Sequence, residues 1–318
     1  MAQLFKKVAI FGAPGNIGSQ LVTHLLKQDK HEVTAVTRPS STAVFPSSVT
    51  VKKGSYTDTK FLETVLQGQD VVVLMLGFAA LKYQDGIFEA AAKAGVKYVL
   101  PSDYGASAEN EKIVGLVPLF KTKWEQYHKI ESLGMKWVSV VTALWIDYSI
   151  EWGTFGFEVP ERKATLYTDG VPFSTTTMAR VGEGVAAFLE LPKDVIEETF
   201  ANSFLYLSSF TLSQAQIFEA VMRVTGTTET DWQIKHQKAQ DLIDEGHAMV
   251  KSGQLAGHFK IIYGAHYQPG MGTNYSEKAA TSLLGLPQED LDKIVKAAVD
   301  SARPGGWDAA IALQLEKQ

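Results

Sequence analysis

Residues 8–18 read Val8-Ala9-Ile10-Phe11-Gly12-Ala13-Pro14-Gly15-Asn16-Ile17-Gly18. The apolar run Val8–Phe11 has the character of a strand. Glycines at G-x-x-G-x-x-G spacing follow, and Ile17, Leu21, Leu25 and Leu26 then recur with helical period across Asn16–Lys27. A strand, a glycine turn and a helix in this order open a βαβ unit. The turn needs glycine because the chain reverses sharply, the backbone approaches a bound group closely, and the helix packs on the strand. The helix start offers free N–H groups and partial positive charge, which suit phosphate. The turn is therefore expected to cradle the pyrophosphate of a dinucleotide through Gly12, Pro14, Gly15, Asn16, Ile17 and Gly18. The plain alternative is an ordinary tight turn.

The same rhythm runs on from there. Strands are expected at Glu32–Thr37, Val49–Lys52, Val71–Leu76, Tyr98–Leu100 and Trp137–Val141, and helices at Asp58–Leu66, Ile87–Ala94 and Leu119–Leu133. Asp58 is placed as an N-cap, and Gly95 and Gly134 close their helices. Short connections between alternating strands and helices imply a parallel sheet with right-handed crossovers. The fold class is thus α/β, a Rossmann-like doubly wound parallel sheet over residues 1–145. After 145 the alternation breaks. Residues 146–318 are expected to form a smaller, mostly helical, discontinuous C-terminal substrate domain. Its helices are placed at Met178–Leu189, Thr211–Thr225, Gln237–Lys251 and Glu289–Ala302. Phe204–Leu207 is expected to be a strand within a stretch of 175–210 that rejoins the main sheet.

The end of the second strand bears on which dinucleotide binds. An acidic residue there would hold the ribose 2′-hydroxyl of NAD. This chain has Arg38, followed by Ser40 and Ser41. A guanidinium with flanking hydroxyls suits the 2′-phosphate of NADP(H), whereas a solvated surface arginine is the bland reading. Gly77, after the fourth strand, either lets the backbone lie against the adenosine or simply ends the strand.

Composition narrows the classes. The 318 residues are 45% hydrophobic and 20% charged, as expected of a globular protein with a sizeable core. The net charge of −5 and the lack of a basic run argue against nucleic acid as partner. Cysteine is absent, which excludes disulfides, thiolate nucleophiles and Cys-ligated zinc. Seven scattered histidines form no metal-ligand spacing, so no metal is expected. With no secretory or membrane-spanning segment, the chain is expected to be cytoplasmic and to leave membranes alone.

The Tyr-x-x-x-Lys pair that supplies the proton in common short-chain dehydrogenases is expected to be missing. Three other pieces carry a resemblance: the glycine turn with Arg38 downstream, Leu100-Pro101-Ser102-Asp103-Tyr104-Gly105, and Phe120-Lys121-Thr122-Lys123 before a helix ending at Gly134. Together they resemble the NmrA-like, isoflavone-reductase-like branch of the atypical short-chain dehydrogenases, closest to its fungal isoflavone-reductase-like group. The resemblance extends through Phe204–Leu207 and Leu284-Gly285-Leu286-Pro287. Where the family commonly has Pro-Ser-Glu-Phe-Gly, this chain has Asp103 and Tyr104. The resemblance implies an NADPH-dependent oxidoreductase of secondary metabolism, and it places the family's catalytic lysine on Lys123, which would also lie against the cofactor. Some members are regulators that bind the dinucleotide without known chemistry.

The residues themselves support a chemical role for Lys123. Hydride addition to a carbonyl, or to an alkene conjugated with one, leaves charge on oxygen that a lysine can stabilise or protonate. A solvated lysine beside Lys121 and Lys129 is the alternative. Tyr104 is a candidate auxiliary acid. Ser102 is a candidate cofactor contact, although Ser102 and Asp103 also read as caps of the next segment. Trp145, Tyr148 and Trp152, with Phe155 and Phe157, fit either stacking on a small-molecule aromatic substrate or a second core. Three functions stay open: a reductase of an aromatic, quinonoid or enone-like substrate, a dinucleotide-sensing regulator, and an isomerase or dehydratase.

Overall fold

The computed structural model describes residues 4–117, 120–168, 170–254 and 256–316. Its first half follows the expected alternation: β1 (Lys7–Phe11), α1 (Gly18–Gln28), β2 (Glu32–Thr37), β3 (Thr50–Lys53), α2 (Thr59–Leu66), β4 (Val71–Leu74), α3 (Gln84–Lys93), β5 (Tyr98–Leu100), α4 (Glu111–Leu116), α5 (Lys121–Ser132) and β6 (Lys136–Val141). Then come β7 (Leu144–Trp145), α6 (Ile146–Glu151), β8 (Phe157–Glu158), β9 (Lys163–Tyr167), β10 (Phe173–Thr176), α7 (Met178–Leu189), α8 (Lys193–Thr199) and β11 (Ser203–Tyr206). The chain ends with β12 (Phe210–Leu212), α9 (Gln214–Thr225), β13 (Gln233–Gln237), α10 (Ala239–Lys251), α11 (Gly257–Tyr267), α12 (Leu291–Asp300) and α13 (Gly306–Glu316).

Seven parallel strands form the main sheet in the order β3-β2-β1-β4-β5-β6-β11. The strand order reverses between β1 and β4, where open α/β sheets bind ligands outside the strands' carboxyl ends. Strand periodicity sends alternate residues to opposite faces. Val8, Ile10, Val71, Val73 and Val140 pack with Leu21 and Leu25 of α1 and Val181 and Phe188 of α7. Ala9, Phe11, Val72, Leu74 and Val99 pack on the other face with Leu62 of α2, Phe88 of α3 and Tyr127 and Ile130 of α5. Helices on both faces explain why these strands read as continuous apolar runs. β11 joins the sheet beside β6, so the chain returns to the first layer after residue 175.

Beyond the sheet, β7, β10 and β12 form one small sheet and β8, β9 and β13 another. A third core lies among them and α9–α12, built on Phe155, Phe157, Phe173, Phe218, Trp232, Tyr263 and Tyr267. The C-terminal region is mostly helical.

Several boundaries differ from expectation for local reasons. Met75 still donates its N–H to Phe11 O at 2.8 Å, but β4 ends at Leu74 because the chain then turns into a short 3₁₀ segment, Phe78–Tyr83. The helix expected from Thr211 starts at Gln214, where Ser213 and Gln216 form a reciprocal capping box, so Leu212 belongs to β12. Gln237 belongs to β13 rather than to α10. Asp58 caps α2 as expected, its Oδ1 accepting the Phe61 N–H at 3.0 Å. Leu119, expected to start α5, lies outside the described residues. No helix among the described residues is long and apolar enough to cross a membrane, and none of their His, Asp and Glu side chains form a group that could hold a metal ion.

Candidate active site

Tight backbone packing fixes the glycine turn. Gly12 has φ +77°, and a Cβ there would sit 2.1 Å from Met75 O. A Cβ on Gly18 would sit 2.2 Å from Gly12 O, so these two glycines are demanded by the fold itself. Gly15 differs. It is exposed, and a Cβ would lie 3.1 Å from Gly12 O, a tight approach that the turn would have to yield to but far less severe than those at Gly12 and Gly18. Gly15 N–H bonds Gly12 O at 2.9 Å and Ser19 N–H bonds Gly15 O at 3.0 Å. The amides of Asn16, Ile17 and Gly18 lie between these bonds at the mouth of α1, where no side chain caps the helix. Pro14 and Asn16 are exposed at the rim. The Ile17 side chain is buried in the core, so only its backbone faces outward.

Arg38 lies exposed just past β2, and no ion pair involves it among the described residues. Tyr56 ties it to the turn. The Tyr56 hydroxyl donates to Val36 O at 2.9 Å beside the Gly12 N–H. Burial pushes this phenol up to about 12, against the pull of the Gly12 amide and the nearby Arg38 charge. The guanidinium therefore shares a neighbourhood with the phosphate cradle.

Tyr56 also corrects one expectation. Tyr56-Thr57-Asp58-Thr59-Lys60 does have the Tyr-x-x-x-Lys spacing. It is not a catalytic pair, because the Tyr56 ring is packed against Phe11 and Tyr83 while Lys60 is exposed on α2.

The line of groups continues along the carboxyl ends of β4 and β5. Gly77 is exposed and a Cβ there would meet nothing within 4 Å, so the fold does not itself require glycine. Ser102 Oγ donates to Leu76 O at 2.9 Å, and the Ser102 N–H bonds Gln84 Oε1 at 2.8 Å. Ser102 thus cross-links two strand ends instead of capping a helix. Asp103 is no cap either: it is buried and pairs with Lys123. Nor is Lys123 a solvated helix lysine. Its side chain is 15% exposed, it donates to Ala106 O at 2.9 Å, and its ammonium stands 4.1 Å from the Phe120 ring centre. Lys121 and His128 on the same helix are exposed.

Three buried polar atoms at the carboxyl end of the sheet have no partner among the described residues: Thr37 Oγ1, Gln84 Nε2 and the Tyr104 hydroxyl. Buried polar groups are normally paired, so these fit a crevice completed by a polar ligand. Burial, reinforced by the Asp103 charge, raises the Tyr104 phenol far above its ordinary value. The Tyr104 ring packs on the opposite face of the sheet from the core residues of α5.

The aromatic segment divides. Phe155 and Phe157 are core residues. Trp145, Tyr148 and Trp152 are half-buried and form a ladder along α6, with ring centres 6.1 and 6.0 Å apart. Trp145 Nε1 donates to Thr142 Oγ1 at 3.0 Å, which ties the ladder to the end of β6.

Comparison with known proteins agrees with this architecture. Residues 5–268 match the NmrA-like family. The chain belongs to that family. It is 28% identical over 298 residues to the oxidoreductase aprR of Aspergillus flavus, covering 91% of this chain and 97% of that protein. It is 24% identical to the isoflavone reductase homolog IRL of Zea mays, covering 87% of this chain and 94% of that one. The solved structure of AtPrR2 with NADP+ and (+)pinoresinol superposes with a TM-score of 0.74 at 18% identity, over 94% of this chain and 100% of that one. At that identity the likeness shows a shared fold.

Proposed function

We propose that this NmrA-like chain is an NADPH-dependent reductase of a small, flat aromatic, quinonoid or enone-like molecule. The placement of Lys123 carries the reading: a partly exposed ammonium held by Asp103 and Ala106 just past the carboxyl end of β5, the same end of the sheet at which the glycine turn follows β1. Oxidoreductase relatives and a structural neighbour solved with NADP+ and pinoresinol support it.

Bound NADPH would supply the hydride. The amides of Asn16, Ile17 and Gly18 would hold its pyrophosphate, and Arg38 its 2′-phosphate. Gly77 and Ser102 would flank its path along the strand ends. Lys123 would stabilise negative charge developing on the substrate oxygen, a role suited to a preorganised cation in a partly dry site. Trp145, Tyr148 and Trp152 would hold the substrate ring by stacking and burial. Tyr104 is the weaker candidate for proton delivery, because its hydroxyl is buried on the other side of the sheet from α5.

The test is NADPH consumption with product analysis, run on aromatic ketones, quinones and conjugated enones with wild type and Lys123→Met. The expected result is turnover by wild type and a loss of about 10²-fold in kcat for the variant. Unchanged kcat in Lys123→Met would remove the assignment. A sensor reading draws on the fact that the Lys123 ammonium is already engaged by Asp103 and Ala106. Tight NADPH binding without turnover of any panel member would favour it.

A further inference from the structure

Lys123 and Tyr127 are four residues apart on α5 and so share one face of the helix. Both side chains reach the same carboxylate. Asp103 presents Oδ1 to the Lys123 ammonium, and its Oδ2 accepts from the Tyr127 hydroxyl and from Ser139 Oγ, the latter at 2.7 Å. Ser139 Oγ also lies 3.0 Å from the Tyr127 hydroxyl. The Asp103 side chain is only 4% exposed, and Tyr127 and Ser139 are fully buried.

The supports of this carboxylate are themselves tightly packed. The Tyr127 ring is stacked on Trp137 at 4.1 Å and 13°. Trp124 meets Tyr127 edge-on, and its Nε1 donates to Ala108 O at 2.9 Å. Asp103 N–H bonds Pro101 O at 2.8 Å in a tight turn directly after β5. Three elements, the β5 end, α5 and β6, therefore converge on one anion, whose free oxygen faces the cation proposed to act on substrate.

We propose that Asp103 is a positioning residue that fixes Lys123 before substrate arrives, with Tyr127 and Ser139 fixing Asp103 in turn. The inference rests on the reductase reading of Lys123. A lysine stem has four rotatable bonds and loses much freedom when it is ordered. Ordering it beforehand removes that loss from the catalytic step, as preorganised electrostatic sites do. The two hydroxyls engage only Oδ2, which leaves Oδ1 directed at the ammonium.

Four variants test this: Asp103→Asn, Asp103→Glu, Tyr127→Phe and, for the underlying reading, Lys123→Met. Tyr127→Phe keeps the ring stack and removes one hydroxyl, so it remains informative if Asp103→Asn folds poorly. The expected result for Asp103→Asn is a loss of kcat of about 10- to 100-fold, the size of one charge-assisted hydrogen bond, with NADPH affinity unchanged. Tyr127→Phe should lose less, and Asp103→Glu should recover most of the kcat lost in Asp103→Asn, with the longer acid shifting KM. A second readout needs no turnover. Reductive methylation of the cofactor-free protein, followed by mass spectrometry, should label Lys123 several-fold faster in Asp103→Asn and Tyr127→Phe than in wild type.

Unchanged labelling of Lys123 in both variants would overturn the proposal. So would full kcat in both alongside a slow Lys123→Met. A Lys123→Met protein with wild-type kcat would instead overturn the reductase role of Lys123, leaving the labelling rates to decide whether Asp103 holds the amine.

Discussion

Removing the Arg38 side chain should separate the two nicotinamide dinucleotides. NADPH differs from NADH only in its 2′-phosphate, and Arg38 is the cation at the end of β2 beside the glycine turn. A hydrogen bond to a charged group is worth about 1.5–3 kcal/mol. Arg38 is exposed, so screening by water places the value near the lower end, about 1.5–2 kcal/mol. That corresponds to roughly 10- to 30-fold in Kd. Some attraction should survive, because Lys53 Nζ lies 2.7 Å from Ser41 O at the next strand end. The assay is fluorescence or calorimetric titration of both cofactors against wild type and Arg38→Ala. NADPH should weaken by that factor and NADH by less than about twofold. Raising salt from about 0.1 to 1 M shortens the screening length from about 10 to 3 Å and should shrink the difference. Equal losses for the two cofactors, or a salt-independent loss, would refute the placement of the 2′-phosphate at Arg38.

Other substitutions probe separate parts of the molecule. Gly15→Val should lose both cofactors, because a branched side chain would fill the exposed mouth of the turn, at a modest cost in stability from the 3.1 Å approach of its Cβ to Gly12 O, whereas Gly18→Ala should lower Tm by at least a few degrees because its Cβ would sit 2.2 Å from Gly12 O. Thermal melts and cofactor titrations distinguish the two. Lys123→Met should also destabilise, by about 2–4 kcal/mol in denaturant titrations, because it leaves the Asp103 carboxylate without its cation; Lys121→Met is the neutral control. His266 is fully buried, and burial lowers it to about 4. Its folded-state value lies below the unfolded one, so it contributes stability above about pH 6.5 that is lost progressively as pH falls toward 4. Burial raises Asp147 to about 6, which acts in the opposite sense over nearly the same window. The measurement is therefore the difference between wild type and His266→Phe, which should shrink by about 3 kcal/mol between pH 7 and 4; a constant difference would show that His266 does not titrate there.

The main sheet was legible because its strands are buried on both faces and their apolar runs leave little choice. The small sheets were not. β10 reads Phe173-Ser174-Thr175-Thr176, which resembles a loop, yet all four residues are buried. Its hydroxyls are satisfied by the backbone: Thr175 Oγ1 donates to Leu144 O at 2.6 Å, Thr176 Oγ1 donates to Thr142 O at 2.7 Å, and Ser174 Oγ accepts the Tyr275 N–H at 2.7 Å. Such pairings are long-range, and composition does not announce them. α11 was hidden by glycines that weaken its helix signal. Gly264 is needed there because a Cβ would sit 2.6 Å from Ile243 of α10. In the candidate site, Lys123 was reached through a family motif and the glycine turn through local chemistry. Asp103 reads equally well as a cap, because its partners lie on α5 and β6, far away in sequence. The available signal was Lys123 and Tyr127 at i and i+4, a lysine and a tyrosine on one helical face.

The turn after β6 explains how the chain leaves the main sheet to form the aromatic ladder. Ala143 has φ +53°, a left-handed conformation that costs an L-residue about 1–2 kcal/mol. Two hydrogen bonds hold it there, since the amides of Thr142 and Ala143 both donate to Gly105 O at 3.1 Å. Gly105 follows Asp103 and Tyr104, so the segment that carries the Lys123 counter-ion also bends the chain out of the main sheet. Immediately after the bend, Leu144 and Trp145 pair with β10, and α6 begins with Ile146. The strained residue Ala143 and the counter-ion Asp103 thus lie on two segments joined through Gly105 O, so the bend that leads into the aromatic ladder is anchored on the loop that carries the partner of Lys123.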